Sequence, residues 1–168
     1  MTRQELNELI RSMLVQLGRD EPDFELPTES ADIIVLGDGP IFDRITFDGG
    51  KEVDHQTVEG EQVAFLTLER ITAQIAREIE GKSRLHSQSL IAKVMGRLRR
   101  SPDAYITRHD DYSRRTWMDA QVRLMSSLRS DWGVRVELRH DEMLRRFPLT
   151  KRERENARRL DLSQFGLE

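Results

Sequence analysis

The residues with the clearest chemical capacity are basic side chains spaced along one predicted helix. Residues 88–100 place Lys93, Arg97 and Arg100 on one side of that helix, opposite an apolar arc. Guanidinium groups bind phosphate through a planar fork of donors, so nucleic-acid binding is the first chemistry that this spacing indicates. The full set predicted to bind nucleic acid is Lys93, Arg97, Arg99, Arg100, Arg108, Arg114 and Arg115.

Histidine–aspartate dipeptides offer a second chemistry. His109-Asp110 and His140-Asp141, together with His86, supply the donor types of a catalytic metal site. Such a site would make the protein a metal-dependent phosphohydrolase or nuclease. Both dipeptides fall at predicted element boundaries, where an aspartate more simply caps the next helix. The sequence therefore assigns no catalytic residue, no metal ligand and no cofactor.

The charge of the chain is divided between its two halves. Residues 1–80 carry 7 Lys/Arg against 18 Asp/Glu, and residues 81–168 carry 20 against 12, although the whole chain has a net charge of only −3. Arginine accounts for 23 of the 27 basic residues. This asymmetry indicates a basic surface for nucleic acid or an acidic protein face. The acidic half would mask that surface or face a second copy of the chain.

Length and composition limit the kind of protein. The 168 residues, 37% of them apolar, are enough for one hydrophobic core. The absence of cysteine excludes disulfides and thiolate metal sites. We find no apolar stretch of membrane-spanning length, no signal-peptide core and no motif that identifies a small-molecule substrate. We therefore expect a soluble, cytoplasmic protein without a membrane partner.

An amphipathic helix is predicted at the N-terminus. Thr2 and Glu5 form a capping-box pattern, apolar residues recur at helical spacing as far as Leu17, and Gly18 ends the helix. Residues 20–30 combine two prolines with several carboxylates, which is typical of an acidic linker.

Three short strands are predicted to follow as an acidic antiparallel meander over residues 31–60. The second strand, residues 41–47, alternates so that Ile41, Ile45 and Phe47 share one face, and an Asp-Gly dipeptide after it marks a hairpin turn. The exposed side of the meander is expected to carry Asp43 and Arg44.

The basic region, residues 61–168, is predicted to be mostly helical. A long core helix covers residues 62–80 and stops at Gly81, and another helix covers residues 114–129. We expect the two tryptophans of this region, at positions 117 and 132, to be buried.

A strand is predicted after Gly133, because Val134, Val136 and Leu138 alternate with charged residues. The three apolar side chains would then point inward. Asp141 is predicted to cap a short helix that follows this strand and ends at Phe147-Pro148.

Together these elements predict an α+β protein that is mostly helical. A small antiparallel β-meander near the N-terminal third packs with a helical C-terminal region, with a winged-helix arrangement as one option.

A second capping-box pattern, Thr150 with Glu153, opens a last helix over residues 151–160. The predicted domains are residues 1–30, a helix with an acidic linker, and residues 31–168, one globular domain.

Three functional hypotheses follow from the sequence. The first is a non-enzymatic, nucleic-acid-associated subunit of a larger assembly that uses its arginine-rich C-terminal face. The second is a charge-complementary protein–protein adaptor, or a self-assembling structural subunit, that binds no nucleic acid. The third is a cryptic metal-dependent phosphohydrolase or nuclease. The expected partners are therefore nucleic acid, an acidic protein surface or a second copy of the chain.

Overall fold

The structure of the protein is a computed structural model. Its described part comprises residues 1–28, 32–86 and 112–167, without the side chains of residues 84–86 and 165. The predicted basic helix over residues 88–100 lies outside the described residues.

Contacts divide the chain into two units, Met1–Arg70 and Ile71–Glu168. The first unit contains 6 Lys/Arg and 16 Asp/Glu in its sequence, whereas the second contains 21 and 14. The charge separation of the sequence therefore follows the structural division, with an acidic first unit and a basic second unit.

The first helix, α1, covers Arg3–Gln16 and confirms the N-terminal prediction. Thr2 and Glu5 form the capping box: the Thr2 hydroxyl accepts a hydrogen bond from the Glu5 amide at 3.3 Å, and a Glu5 carboxylate oxygen accepts one from the Thr2 amide at 2.7 Å. The apolar face of the helix is fully buried at Leu6, Ile10 and Leu14.

The acidic segment after α1 is held by side chains of that helix. Asn7 accepts a hydrogen bond from the Leu26 amide at 3.1 Å. Arg3 donates to the Leu26 carbonyl at 2.6 Å and to the Val35 carbonyl at 2.8 Å. Because these bonds fix backbone groups, the segment up to residue 28 is anchored along α1.

The sheet has three antiparallel strands in the order β1-β2-β3, which confirms the predicted meander. The strands are β1 (Ile33–Leu36), β2 (Ile41–Asp48) and β3 (Lys51–Glu59). Gly49 and Gly50 form the hairpin turn between β2 and β3 with φ values of 56° and 79°. Two successive positive φ angles are characteristic of a tight hairpin turn, and they explain the glycine pair.

The burial of β2 corrects the expectation for its two faces. Phe42 is the buried side chain of this strand, whereas Ile41 is 57% exposed. Asp43 and Arg44 lie on opposite faces, because they are consecutive in a strand. Arg44 lies on the face of Phe42 and forms an ion pair with Asp54 at 3.7 Å. Alternation alone could not identify the buried face, since both faces of β2 carry apolar residues.

Helices dominate the rest of the described chain, so the prediction of a mostly helical α+β protein is confirmed. The winged-helix option stays a prediction. The remaining elements are α2 (Gly60–His86), α3 (Arg114–Leu128), α4 (Ser130–Arg146), α5 (Lys151–Glu155) and a 3-10 helix (Leu162–Phe165). The boundary between the two units falls within α2.

Helix α2 confirms the predicted core helix but extends further than expected. It continues through Gly81 to His86, so the predicted stop at this glycine is wrong. Beyond Gly81 the Ser83 hydroxyl donates to the Glu80 carbonyl at 2.7 Å, and Arg158 donates to the Ser83 hydroxyl at 2.8 Å. These contacts stabilise an additional turn that the sequence pattern does not reveal.

The strand predicted after Gly133 is wrong, because residues 134–138 belong to α4. Trp132, Val136 and His140 are four residues apart and buried, which is the spacing of one helix face. Leu138 is 61% exposed, and Val134 is also exposed. The short alternation of apolar and charged residues was therefore compatible with a helix whose buried face includes a tryptophan and a histidine.

Gly133 marks a close approach within the α3–α4 hairpin. A Cβ atom at this position would lie 1.9 Å from the Ser126 Oγ and 3.0 Å from the Ser126 Cα. The glycine is therefore required by packing, not by a strand start. Asp141 lies inside α4, so its predicted capping role is also wrong, although the helix ends at Arg146 as the Phe-Pro dipeptide indicated.

The C-terminal capping box is confirmed. The Thr150 hydroxyl accepts from the Glu153 amide at 3.1 Å, and a Glu153 carboxylate oxygen accepts from the Thr150 amide at 2.9 Å. Helix α5 is shorter than predicted and ends at Glu155. Within the described residues, no helix combines the length and apolarity needed to cross a membrane.

Candidate functional site

The cations predicted to bind nucleic acid fall into two groups. Arg114 and Arg115 begin α3. The others lie outside the described residues: Lys93, Arg97, Arg99, Arg100 and Arg108. Their convergence on one surface stays a prediction.

Arg114 is engaged in a bidentate ion pair. Its Nε and Nη2 donate to the two carboxylate oxygens of Glu153 at 2.6 and 3.0 Å. The guanidinium also donates to the carbonyl oxygens of Phe147 and Pro148. The hydrogen bonds from Arg114, with further bonds from Thr150, lower the pKa of Glu153 to about 2. Arg114 therefore fixes the start of α3 to the segment that opens α5.

Several other described cations of the basic unit also contact neighbours within that unit. Arg115 Nε lies 2.8 Å from an Asp119 oxygen, one helical turn away. Arg158 lies 3.5 Å from the carboxylate of Glu80, which is buried. Arg77 lies over the Trp117 ring at 4.8 Å. Trp117 and the second tryptophan are buried as predicted. These contacts give no support to a phosphate-binding role for the cations involved.

A charged cleft of about 290 Å³ lies between α3 and α4. Charged side chains of both signs line it: Arg115, Asp119, Arg123, Glu137, Asp141 and Arg159. His140 also lines the cleft and is only 8% exposed. Because three arginines and three carboxylates line the cleft, its charge favours neither an anion nor a cation.

His140 is held as a neutral imidazole. Its Nε2 lies 3.1 Å from the Gln121 Oε1, so this nitrogen carries the proton, while Nδ1 has no hydrogen-bond partner. Burial lowers the pKa of His140 to about 4, and the charge of Arg115 adds to this effect, whereas Asp141 opposes it. The Trp117 ring packs edge-on at a centroid distance of 5.5 Å.

The described residues provide no support for the hydrolase hypothesis. His109, Asp110 and the side chain of His86 lie outside the described part of the chain. Among the residues that the structure describes, no group of three histidine or carboxylate side chains could hold a metal ion. His140 and Asp141 are consecutive residues of α4, with different roles in the cleft.

One face of the sheet of the acidic unit carries both apolar and charged side chains that are exposed or half-buried, and we call it the outer face. Alternation puts Ile41, Asp43 and Ile45 of β2 on this side, and direct pairing adds neighbours from β1 and β3. The outer face comprises Ile34, Leu36, Ile41, Asp43, Ile45, His55, Thr57 and Glu59. Exposed apolar and acidic groups thus share one surface.

A hydrogen-bonded cluster lies at the centre of the outer face. Asp43 accepts a hydrogen bond from the Thr57 hydroxyl at 2.8 Å, and His55 Nε2 lies 3.3 Å from the same carboxylate oxygen. The bond from Thr57, followed by that from His55, lowers the pKa of Asp43, so the carboxylate is ionised near neutral pH. The cluster fixes a negative charge among apolar neighbours.

The sequence alone did not predict this surface. The predicted exposed side carried Asp43 with Arg44, separate from Ile41, and the predicted meander gave no register between β2 and β3. The available signal was the alternation itself, since Ile41, Asp43 and Ile45 are two residues apart. Only the observed register shows that His55 and Thr57 lie opposite Ile45 and Asp43.

The described residues thus present an accessible sheet face on which apolar and acidic side chains lie together. In a comparison with known families, residues 38–142, well over half of the chain, match the family described as Imm63, immunity protein 63. The chain belongs to this immunity-protein family. No curated protein and no solved structure matches the chain.

Proposed function

We propose that this protein binds a partner protein toxin and holds it inactive. The observation that carries the proposal is the match of residues 38–142 to the Imm63 family, whose immunity proteins typically bind such a partner. The matched range contains β2 and β3 completely, and it therefore contains most of the outer face.

The contacts of the described residues support a binding role. A protein that neutralises a toxin needs an accessible surface of about 800 Å² per partner for a stable complex. The outer face offers exposed apolar side chains beside fixed charges, which is the usual composition of a protein interface. In contrast, the described cations Arg114 and Arg115 are engaged by Glu153 and Asp119. Nucleic-acid binding therefore has no support comparable to that for protein binding.

Growth rescue tests the proposal directly. The chain is co-expressed with a candidate toxin, a growth-arresting polypeptide of the same genome, under separate inducible promoters. We expect cells that carry both to grow, whereas cells that carry the toxin with an empty vector should stop growing. The two proteins should also co-elute as one complex in size-exclusion chromatography. Continued growth arrest despite accumulation of the folded chain would contradict the proposal.

A further inference from the structure

We propose that the outer face of the sheet is the toxin-binding surface, and that the toxin presents to it a surface that combines basic and apolar side chains. This inference rests on the proposed function, because it locates the interface on this chain and states the chemistry of the partner.

Apolar side chains are exposed on the outer face. Ile41 is 57% exposed and Leu36 is 39% exposed. Both are next to Asp43: Leu36 is its pairing partner in β1, and Ile41 lies two residues before it on the same face. Ile34 and Ile45 continue this apolar surface and are half-buried. A partner that covers these residues would remove apolar area from water, which is favourable.

The outer face carries negative charge, as does the whole first unit. Asp43 is held ionised by Thr57 and His55, and Glu59, which pairs with Ile41, is exposed. His55 is also within 3.8 Å of a Glu52 carboxylate oxygen. The whole unit carries 6 Lys/Arg against 16 Asp/Glu. A basic protein surface would be attracted by this field, whereas an acidic one would be repelled.

Apolar side chains are also exposed outside the sheet, and one such pair lies on α4. Val134 and Leu138 are exposed on α4, but Arg135, Glu137 and Arg139 lie between and beside them. Charges of both signs flank this pair, so the surface does not select a partner by charge. The outer face combines apolar exposure with a single sign of fixed charge, and we therefore assign the interface to it.

Matched charge insertions test the assignment. Ile41→Arg introduces a cation on the outer face, and Leu138→Arg introduces the same side chain on α4 at nearly the same starting exposure, 57% and 61%. Affinity for the toxin identified by growth rescue is measured by biolayer interferometry at two salt concentrations. Ile41→Arg should weaken binding at least about tenfold, which is the size expected for a residue at the centre of an interface. Leu138→Arg should stay within about twofold of the wild type.

A second outer-face variant keeps the test valid if Ile41→Arg does not fold. Glu59→Lys changes only an exposed charge, and it should weaken binding and reduce its salt dependence. Circular dichroism and thermal melting establish that each variant is folded before its affinity is compared.

The outcomes separate this inference from the proposed function. Wild-type affinity in both Ile41→Arg and Glu59→Lys would overturn the outer-face assignment while leaving toxin binding established. Weakening by Leu138→Arg alone would move the interface to α4 and also overturn it. A wild-type chain that binds no toxin would refute the proposed function itself. If light scattering shows a low-salt homodimer that Ile41→Arg dissociates, the outer face is occupied by a second copy, and the toxin assignment is wrong.

Discussion

The neutral, buried His140 predicts a specific pH dependence of stability. Its pKa falls from an ordinary value of 6.5 to about 4 in the folded protein. The unfolded chain therefore binds a proton below about pH 6.5, whereas the folded chain binds it only below about pH 4. Between these values the unfolded state holds more protons, so lowering the pH destabilises the fold. The stabilisation is fully present above pH 6.5.

The magnitude follows from the difference between the two pKa values. Each pKa unit corresponds to 1.36 kcal/mol, so the free energy of unfolding should fall by about 3 kcal/mol between pH 7 and pH 4 because of His140. The charged groups around the imidazole are Arg115 from α3, Glu137 and Asp141 from α4, and Arg159. Arg115 adds to the effect of burial, and Asp141 opposes it.

Comparison of His140→Gln with the wild type isolates this contribution. Glutamine keeps a polar side chain near Gln121 but does not titrate. Urea denaturation at several pH values between 7 and 4 gives the free energy of unfolding of each protein. The difference in the free energy of unfolding between the wild type and His140→Gln should change by about 3 kcal/mol between pH 7 and pH 4. His55→Gln, on the half-exposed outer face, is the control and should retain the dependence due to His140. Parallel curves for the wild type and His140→Gln would refute the reasoning.

Two further substitutions test the packing of the basic unit. Arg114→Ala should lower the free energy of unfolding by about 2–3 kcal/mol in urea denaturation, because it leaves the mostly buried Glu153 carboxylate without its bidentate partner; a change below about 0.5 kcal/mol would contradict this role. Gly133→Ala should destabilise by about 1–3 kcal/mol, although alanine favours helices, because its Cβ would overlap Ser126. Adding Ser126→Gly should restore most of that loss in thermal melting, and no rescue would show that the clash lies elsewhere.

Local signals in the sequence predicted the starts of α1 and α5 correctly. Thr2 with Glu5 and Thr150 with Glu153 each form a capping box within four residues, and both are present in the structure. The three strands were also predictable, because turn residues and alternation lie within short segments. These features depend on neighbours in sequence, so no tertiary information was needed.

Features that depend on distant contacts were not predictable. Five residues with an alternating pattern favoured a strand after Gly133, but the tertiary burial of Trp132, Val136 and His140 selects a helix. Likewise, apolar residues on both faces of β2 left the buried face undetermined until Phe42 was seen to be inside. The outer face could not be predicted without knowing which face of β2 is buried. The contacts of Asp43 with Thr57 and His55 also require the register of β2 and β3.

The wrong prediction of a strand after Gly133 also led to a wrong expectation for two exposed side chains of α4. Val134 and Leu138 were expected to point into the core of a strand layer, yet both are exposed on the helix. A helical interpretation of residues 130–146 would have placed them on the side away from Trp132 and Val136. Secondary-structure type therefore determines which side chains are available to a partner.

The central claim is the proposal that this immunity-family protein binds a toxin through its acidic unit. Calorimetric titration of the purified chain with the toxin identified by growth rescue is its most direct test. The account predicts saturable binding of one toxin per chain, with an affinity that falls as the salt concentration rises. Heats no larger than those of dilution, with both proteins folded and at low salt, would contradict it.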